Sequence, residues 1–427
     1  MTAEAQTRRG LEVVGFGCRL NACEGESLQG AREARGFSET VVFNTCAVTG
    51  EAVRQARQAI RKARRERPAA RIVVTGCAAQ IAPEAFAAMA EVDLILGNAE
   101  KMRPEVLVQR GPRVRVGDIL AERWELGAAG SAAFARGSRI RGYVEIQNGC
   151  DHRCTFCVIP FGRGNARSTP AEVVVERVRT LVRAGAVEVI LPGVDLTSWG
   201  GDLAGGPRLG DLVGKILDEV RDLRRLRLSS IDAAEIDEAL LARFAREPRL
   251  MPHLHLSLQS GDDLILKRMK RRHSRGQALE LIERVRRVRP GIAIGADLIA
   301  GFPTETEAAF ANSLSLIEAG NIALLHVFPF SARPGTPAER MPQLPARTIR
   351  ERAAALREAG DEALRRRLES RMGLIARALV ERPGQARAED FTEVAFAGEA
   401  EPGMILEGVL SSHDGKRARM EAWRASP

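Results

Sequence analysis

The chain has 427 residues, 64 Lys and Arg against 55 Asp and Glu for a net charge of +9, 45% apolar residues, seven cysteines and six histidines. A single hydrophobic core stops growing at roughly 250–300 residues, so this length excludes a small disulfide-stapled scaffold and calls for two or three domains, while the apolar content excludes a disordered chain. No apolar run approaches the roughly 18 residues of a membrane span and the start lacks a secretory pattern, so a soluble cytoplasmic protein with thiols rather than disulfides is expected.

From Leu11 to about Gly97, short apolar runs (Leu11 to Phe16, Val41 to Phe43, Ile72 to Thr75, Val92 to Leu96) alternate with helix-like stretches such as Glu51 to Arg67. That alternation predicts an open parallel α/β amino-terminal domain over residues 1–125. Cys18, Cys46 and Cys77 each stand just past the end of one run, and loops leaving the carboxyl ends of parallel strands converge on one edge of a sheet. Cys23 falls in the following helix and reads as a small buried apolar residue.

Between about Lys101 and Arg139 the sequence turns irregular, with Gly127, Gly130, Ser131 and Gly137 among alanines, and a linker is expected at 126–139. Strand-like runs then recur at Gly142 to Gln147, Val187 to Leu191, Leu226 to Ser230, His253 to Leu258, Ile292 to Ile299 and Ile322 to Phe328. Helical segments such as Pro170 to Ala184 separate them, predicting an α/β partial TIM-like (βα)6 barrel over residues 140–371 that ends in an arginine-rich helix after Pro345. From Leu374, the runs LIARALVE, TEVAFA, GMILEGVL and KRARMEAW predict a small antiparallel β domain over residues 372–427.

Barrel chemistry resides in the loops after the strands, and the first of these holds Cys150, Cys154 and Cys157 in a Cys-x3-Cys-x2-Cys pattern. Three closely spaced thiolates suit a four-iron cubane that keeps one iron open for a small molecule. His152 within the motif is the alternative: it would complete a tetrahedral zinc site, although no second Cys or His pair follows at the usual spacing. Three basic runs (Arg61, Lys62, Arg64, Arg65, Arg67; Lys267, Arg268, Lys270, Arg271, Arg272, Arg275; Arg365, Arg366, Arg367) read either as solvated faces or as a track for nucleic-acid phosphates.

The cysteine loop, with Phe156 before its last thiol, resembles the signature of the radical S-adenosylmethionine (SAM) superfamily, in which the open iron chelates SAM and an electron cleaves it to methionine and a 5′-deoxyadenosyl radical. GCRLN, NTCAVT and TGCAAQ are similar to the amino-terminal domain of the radical-SAM methylthiotransferases, and the likeness covers nearly the whole chain. It implies one 4Fe-4S cluster on Cys150, Cys154 and Cys157, a second on Cys18, Cys46 and Cys77, and a SAM site that includes Phe156, Gly193, Ser230, Gln259 and Asp297. GCRLNACEGE and PGVDLTSWG are most similar to the subfamily that thiomethylates N6-threonylcarbamoyladenosine at position 37 of tRNA, whose siblings act on isopentenyladenosine or on a ribosomal-protein aspartate. The terminal domain resembles the RNA-binding TRAM barrel. Implied partners are the tRNA anticodon stem-loop and an electron donor such as a flavodoxin or ferredoxin, with no membrane; the oligomeric state stays open. The reading from another class is a non-catalytic zinc-dependent RNA-binding protein.

Overall fold

The computed structural model describes residues 10–30, 39–107, 109, 111–122, 132–134 and 140–426. Strands β1 (Leu11–Gly15), β2 (Thr40–Thr45), β3 (Arg71–Gly76), β4 (Leu94–Leu96) and β5 (Val114–Arg115) form a parallel sheet in sequential order. β2 and β3 are buried along nearly their whole length, as expected of parallel strands covered on both faces. Phe43, Ile72 and Val74 pack with Ile60 of helix Gly50–Glu66, and Val42, Val73 and Leu94 pack with Leu28 of helix Arg19–Gly30. Thr49 caps Gly50–Glu66 by accepting from the Ala52 N–H.

β5 corrects the irregular reading after Lys101: the strand is short and its Val114 is exposed, so no apolar run announces it. The expected linker at 126–139 lies outside the described residues except for β6 (Ala132–Phe134), which pairs antiparallel with β7 (Arg141–Val144).

β8 (Gln147–Asn148) and β9 (Arg167–Ser168) form a small antiparallel pair above the barrel's first strand. The barrel continues through β10 (Glu188–Leu191), β11 (Arg225–Leu228), β12 (His253–Gln259), β13 (Ala293–Ala300) and β14 (Leu324–Pro329). β7, β10 and β11 are adjacent and parallel, as are β12, β13 and β14, and a parallel bridge between Ile231 and Leu256 joins the two halves. β14 is therefore a free edge. Leu254, Leu256, Ile294, Ala296, Leu298, Leu325 and Val327 point outward into the main core; by strand alternation His253, His255, Gly295, Asp297, Ile299, His326 and Phe328 face the barrel interior.

At the amino ends of the strands the interior is ionic. Glu188 pairs with Arg141 at 2.6 Å and with Arg227 at 2.7 Å. Burial alone would raise the Glu188 carboxyl, but Arg227 and Arg141 outweigh it and hold it down at about 2.

The last domain consists of β15 (Ile375–Arg382), β16 (Gln385–Ala388), β17 (Glu393–Phe396), β18 (Ile405–His413) and β19 (Ala418–Ser426), joined to the barrel by helix Ala346–Arg371. The five strands close into a barrel in the order β15-β16-β17-β19-β18. The antiparallel expectation needs one correction, since β17 and β19 pair in parallel. An odd number of strands cannot alternate direction around a closed ring, so one parallel pair is unavoidable. Arg225 and Arg227 donate to the carbonyls of Arg377, Arg387, Ala388 and Glu389, and Phe391 stacks on His253 with ring centroids 4.7 Å apart. This domain thus closes the (βα)6 barrel at the end opposite the cysteine loop. Its other aromatics are also committed: Trp423 packs edge-on against Phe396 and donates its indole N–H to Ala397 O. Among the described residues no helix is long and apolar enough to cross a membrane.

Candidate functional site

Gly149 precedes the first cysteine of the barrel loop with φ +72°, and a Cβ there would come 1.9 Å from Asn165 O. Only glycine fits that turn. The loop is then tied down by its backbone: Cys150 N–H donates to Gly164 O (3.1 Å), Thr155 N–H to Met269 O (3.1 Å) and Ala338 N–H to Thr155 O (2.9 Å). Arg271 Nη1 stands 3.7 Å from Cys154 Sγ while the same guanidinium is held by Asp232 (2.9 Å) and Ser257 O (2.7 Å). Burial raises the Cys157 thiol to about 11; burial and then Asp195, whose Oδ2 is 3.8 Å from Cys150 Sγ, push Cys150 upward as well.

His152 Nε2 stands 2.8 Å from Asp195 Oδ2, and the ligand atoms of Cys150, His152 and Asp195 lie within 4.8 Å of one another. Hydrogen bonding to Asp195 and then to Glu235 raises the imidazole to about 9.

The second trio stands where three adjacent parallel strands end: Cys18 after β1, Cys46 after β2, and Cys77 at the start of helix Cys77–Ile81 after β3. Gly17, at φ +85°, passes so close to Cys46 that a Cβ would be 2.5 Å from its Sγ. The Val48 N–H lies 3.5 Å from Cys46 Sγ, and Asn98 Nδ2 lies 3.7 Å from Cys77 Sγ. Burial first, then the neighbouring Cys18 and Cys77, drive the Cys46 thiol to about 11 despite the Val48 N–H. Cys23 is fully buried with its Sγ 3.8 Å from Tyr143 O, apart from this trio.

A buried ion cluster supports the trio. Glu24 accepts from Lys101 at 2.7 Å and from Arg163 at 2.8 Å, and Arg163 also donates to Asn21 Oδ1 at 2.5 Å. Burial alone would raise Glu24, but Arg163 and Lys101 hold it at about 2. Arg163 belongs to helix Ile159–Arg163, immediately after Cys157, and Gly162 of that helix sits where a Cβ would be only 3.1 Å from Cys77 Cβ. The helix after the barrel's cysteine loop and the Cys77 strand end therefore meet at one domain interface.

A cavity of about 190 Å³ opens beside them, lined by Phe156, Gln259, Asp297, Ile299, Phe328 and Phe330 from the barrel and by Val48 and Thr49 from the Cys46 loop. Three of the five expected cofactor residues (Phe156, Gln259, Asp297) meet there. Gly193 and Ser230 lie on the loops after β10 and β11, outside its lining. Gly193 is a close approach: a Cβ would be 2.9 Å from Leu196 and 3.2 Å from Gln147, whose Oε1 accepts from the Val194 and Asp195 N–H groups. Gln259 adopts φ +69° where the pairing of β12 shifts register, a strained backbone of the kind found at functional sites.

Sequence reasoning read Arg271 only as part of a basic run and passed over Asp195, Gln147, Arg163, Glu24 and Asn98, because residues that buttress the thiol loops carry no spacing signature. Of the basic runs, Arg271 lies against Cys154 and Asp232 and Arg367 pairs with the buried Asp390, while Arg365 and Arg366 pair with Glu362 on a solvated helix face. Arg61, Lys62 and Arg65 remain exposed along an open groove on helix Gly50–Glu66.

Each trio combines three thiols with an arginine and, at the sulfurs, N–H donors, a donor set that suits thiolate-held iron-sulfur clusters. Residues 144–317 match the Radical SAM superfamily and residues 11–97 match the Uncharacterized protein family UPF0004. The chain is 44% identical over 399 residues to the threonylcarbamoyladenosine tRNA methylthiotransferase MtaB of Rickettsia prowazekii, covering 93% of this chain and 94% of that protein. It is 34% identical to the tRNA-2-methylthio-N(6)-dimethylallyladenosine synthase of Novosphingobium aromaticivorans, covering 92% and 93%. Its fold is similar to the radical SAM methyltransferase TsrM from Kitasatospora setae solved with cobalamin and a 4Fe-4S cluster, with a TM-score of 0.53, 17% identity, and 70% of this chain and 66% of that one covered.

Proposed function

The chain belongs to the radical-SAM tRNA methylthiotransferase family, an enzyme family using an iron-sulfur cluster and SAM, and from that premise we propose that it places a methylthio group on carbon 2 of N6-threonylcarbamoyladenosine at position 37 of tRNA. The observation that carries this reading is that the two cysteine-bearing regions meet: Gly162, just past the barrel loop, packs against Cys77, and Phe156 beside Cys157 and Val48 beside Cys46 line one cavity. The higher identity to the threonylcarbamoyl relative, 44% against 34%, favours that substrate over isopentenyladenosine.

In this assignment Cys150, Cys154 and Cys157 hold the 4Fe-4S cluster that engages SAM, and Cys18, Cys46 and Cys77 hold a second one. Bound there, the two clusters and SAM supply the radical and sulfur chemistry that an unactivated ring carbon requires. The chain's own residues position and protect. Arg271 places a cation against Cys154, and Phe156, Phe328 and Phe330 keep water from the cavity. Gln259 lines the cofactor side, with Gly193 and Ser230 on the flanking loops. An anticodon-loop base is single-stranded, so presenting it to an interior site costs little unstacking. Exposed Arg61, Lys62 and Arg65 offer phosphate contacts, which makes RNA binding fall steeply with salt. A cytoplasmic flavodoxin or ferredoxin would deliver the electron.

Two measurements test the proposal. Anaerobically purified protein is expected to be brown with roughly eight irons per chain; colourless zinc protein would restore the non-catalytic alternative. In nucleoside mass spectrometry of tRNA from a strain lacking the gene, only the 2-methylthio form of threonylcarbamoyladenosine is expected to vanish. Unchanged tRNA would overturn the assignment.

A further inference from the structure

Below the aromatic part of the cavity, three polar side chains from three different strands meet on the inward face of the barrel. Asp297 on β13 is the register partner of His326 on β14, and His255 on β12 reaches toward it over Gly295. His255 Nε2 stands 2.9 Å and His326 Nδ1 3.2 Å from the same Asp297 Oδ1, and the two imidazole centroids are 4.6 Å apart. Gly295 makes the room, since a Cβ at that position would lie 2.5 Å from His255 Nδ1.

The cluster has an inside and an outside. The His255 side chain is 8% exposed and Asp297 18%, whereas His326 is 63% exposed because β14 is the free edge of the partial barrel. Asp297 lines the cavity together with Ile299 and Phe328, one inward step further along β13 and β14, and Phe156 on the cysteine loop; His255 and His326 flank Asp297 outside that lining. The cluster thus runs from the cavity at Asp297 to the exposed edge strand at His326.

Burial alone would raise the Asp297 carboxyl, but hydrogen bonds from His255 and His326 hold it below the usual carboxylate range. An ionised carboxylate only accepts, so both rings donate to it, and the neutral Nδ1–H tautomer of His326 presents an Nε2 lone pair. Taking the threonylcarbamoyladenosine assignment as its basis, we propose that His255, Asp297 and His326 form the subsite for the polar N6 substituent of the substrate base. His326 Nε2 accepts from the amide N–H or hydroxyl of that substituent, and Asp297 and His255 are positioning residues that fix the ring. An isopentenyl group would leave His326 Nε2 without that partner, and a site built to hydrogen-bond its substrate rejects an analogue lacking it.

The test uses the anaerobically reconstituted full chain and anticodon stem-loop RNAs carrying threonylcarbamoyladenosine, isopentenyladenosine or plain adenosine at the target position, read by RNA affinity and by steady-state kinetics. His326→Phe is expected to lose about 10- to 100-fold in affinity and kcat/KM for the first RNA, with the loss residing in KM, and to narrow its gap to the isopentenyl RNA. Iron content and SAM affinity should not change. His326→Gln, which keeps an acceptor, should recover part of the loss, and Asp297→Asn should shift the same parameters in the same direction. The subsite is overturned by an unchanged affinity in His326→Phe, by an equal loss on all three RNAs, or by an Asp297→Asn variant that loses SAM affinity and keeps RNA affinity. A wild-type enzyme that turns over only the isopentenyl RNA overturns both the subsite and the substrate assignment, and is recognised before any variant is made.

Discussion

Cys150, Cys154 and Cys157 come from one short loop, whereas Cys18, Cys46 and Cys77 come from the ends of three neighbouring parallel strands. Chain connectivity already gathers the first set, and backbone hydrogen bonds to Gly164 O and Met269 O and from the Ala338 N–H tie it down. The second set meets only when the sheet is in register. It leans on Gly17 passing over Cys46 and on a charge cluster to which the barrel domain contributes Arg163. Thiols gathered by a loop are a local property, and thiols gathered by a sheet depend on the docking of two domains.

The sharpest way to separate the trios is by product. Replacing any one of Cys150, Cys154 or Cys157 by Ala is expected to abolish 5′-deoxyadenosine formation. The same change at Cys18, Cys46 or Cys77 should retain cofactor cleavage and eliminate the thiomethylated nucleoside, both measured by mass spectrometry. Equal loss in both sets would erase the functional distinction.

The dependence on docking is probed by Arg163→Ala. Removing one partner of a buried ion pair costs about 3–5 kcal/mol, and the variant should shed iron from the amino-terminal trio before the barrel trio, seen as a two-step loss in iron content against denaturant. Simultaneous loss would mean that Arg163 supports both sites alike.

A smaller effect appears with acid. Glu24 and Glu188 are held at about 2 in the folded protein, below the ordinary value of 4.5, so the unfolded chain binds protons more readily. Their stabilisation is present in full above about pH 4.5 and is lost as pH falls toward 2. Glu24→Gln should flatten the stability-versus-pH curve in that window; a slope like that of wild type would show that Glu24 is not the group responsible. Gly17→Ala, which forces a left-handed residue with a Cβ against Cys46, is expected to cost about 1–3 kcal/mol by chemical denaturation and to lower iron occupancy at the amino-terminal trio alone.

Much of this was legible in the chain itself. The six barrel strands, the cysteine loop and the strand-end position of Cys18, Cys46 and Cys77 follow from apolar periodicity and covalent spacing, since parallel strands send their following loops to one edge. β5 escaped because its exposed, two-residue pairing leaves no apolar trace. The parallel pairing of β17 and β19 escaped because it follows from ring closure and not from either strand's own pattern.

By itself, then, the sequence determined the fold class, the family resemblance and the two sets of thiols, because local period and short-range spacing are properties of the chain. Only the tertiary structure decided that Arg163 of the barrel domain reaches Glu24, that Arg271 guards Cys154 rather than a phosphate, and that Phe391 closes the far end of the barrel. It also decided that His255, Asp297 and His326 meet, since that contact depends on strand register and on an open barrel edge, which no stretch of sequence encodes alone.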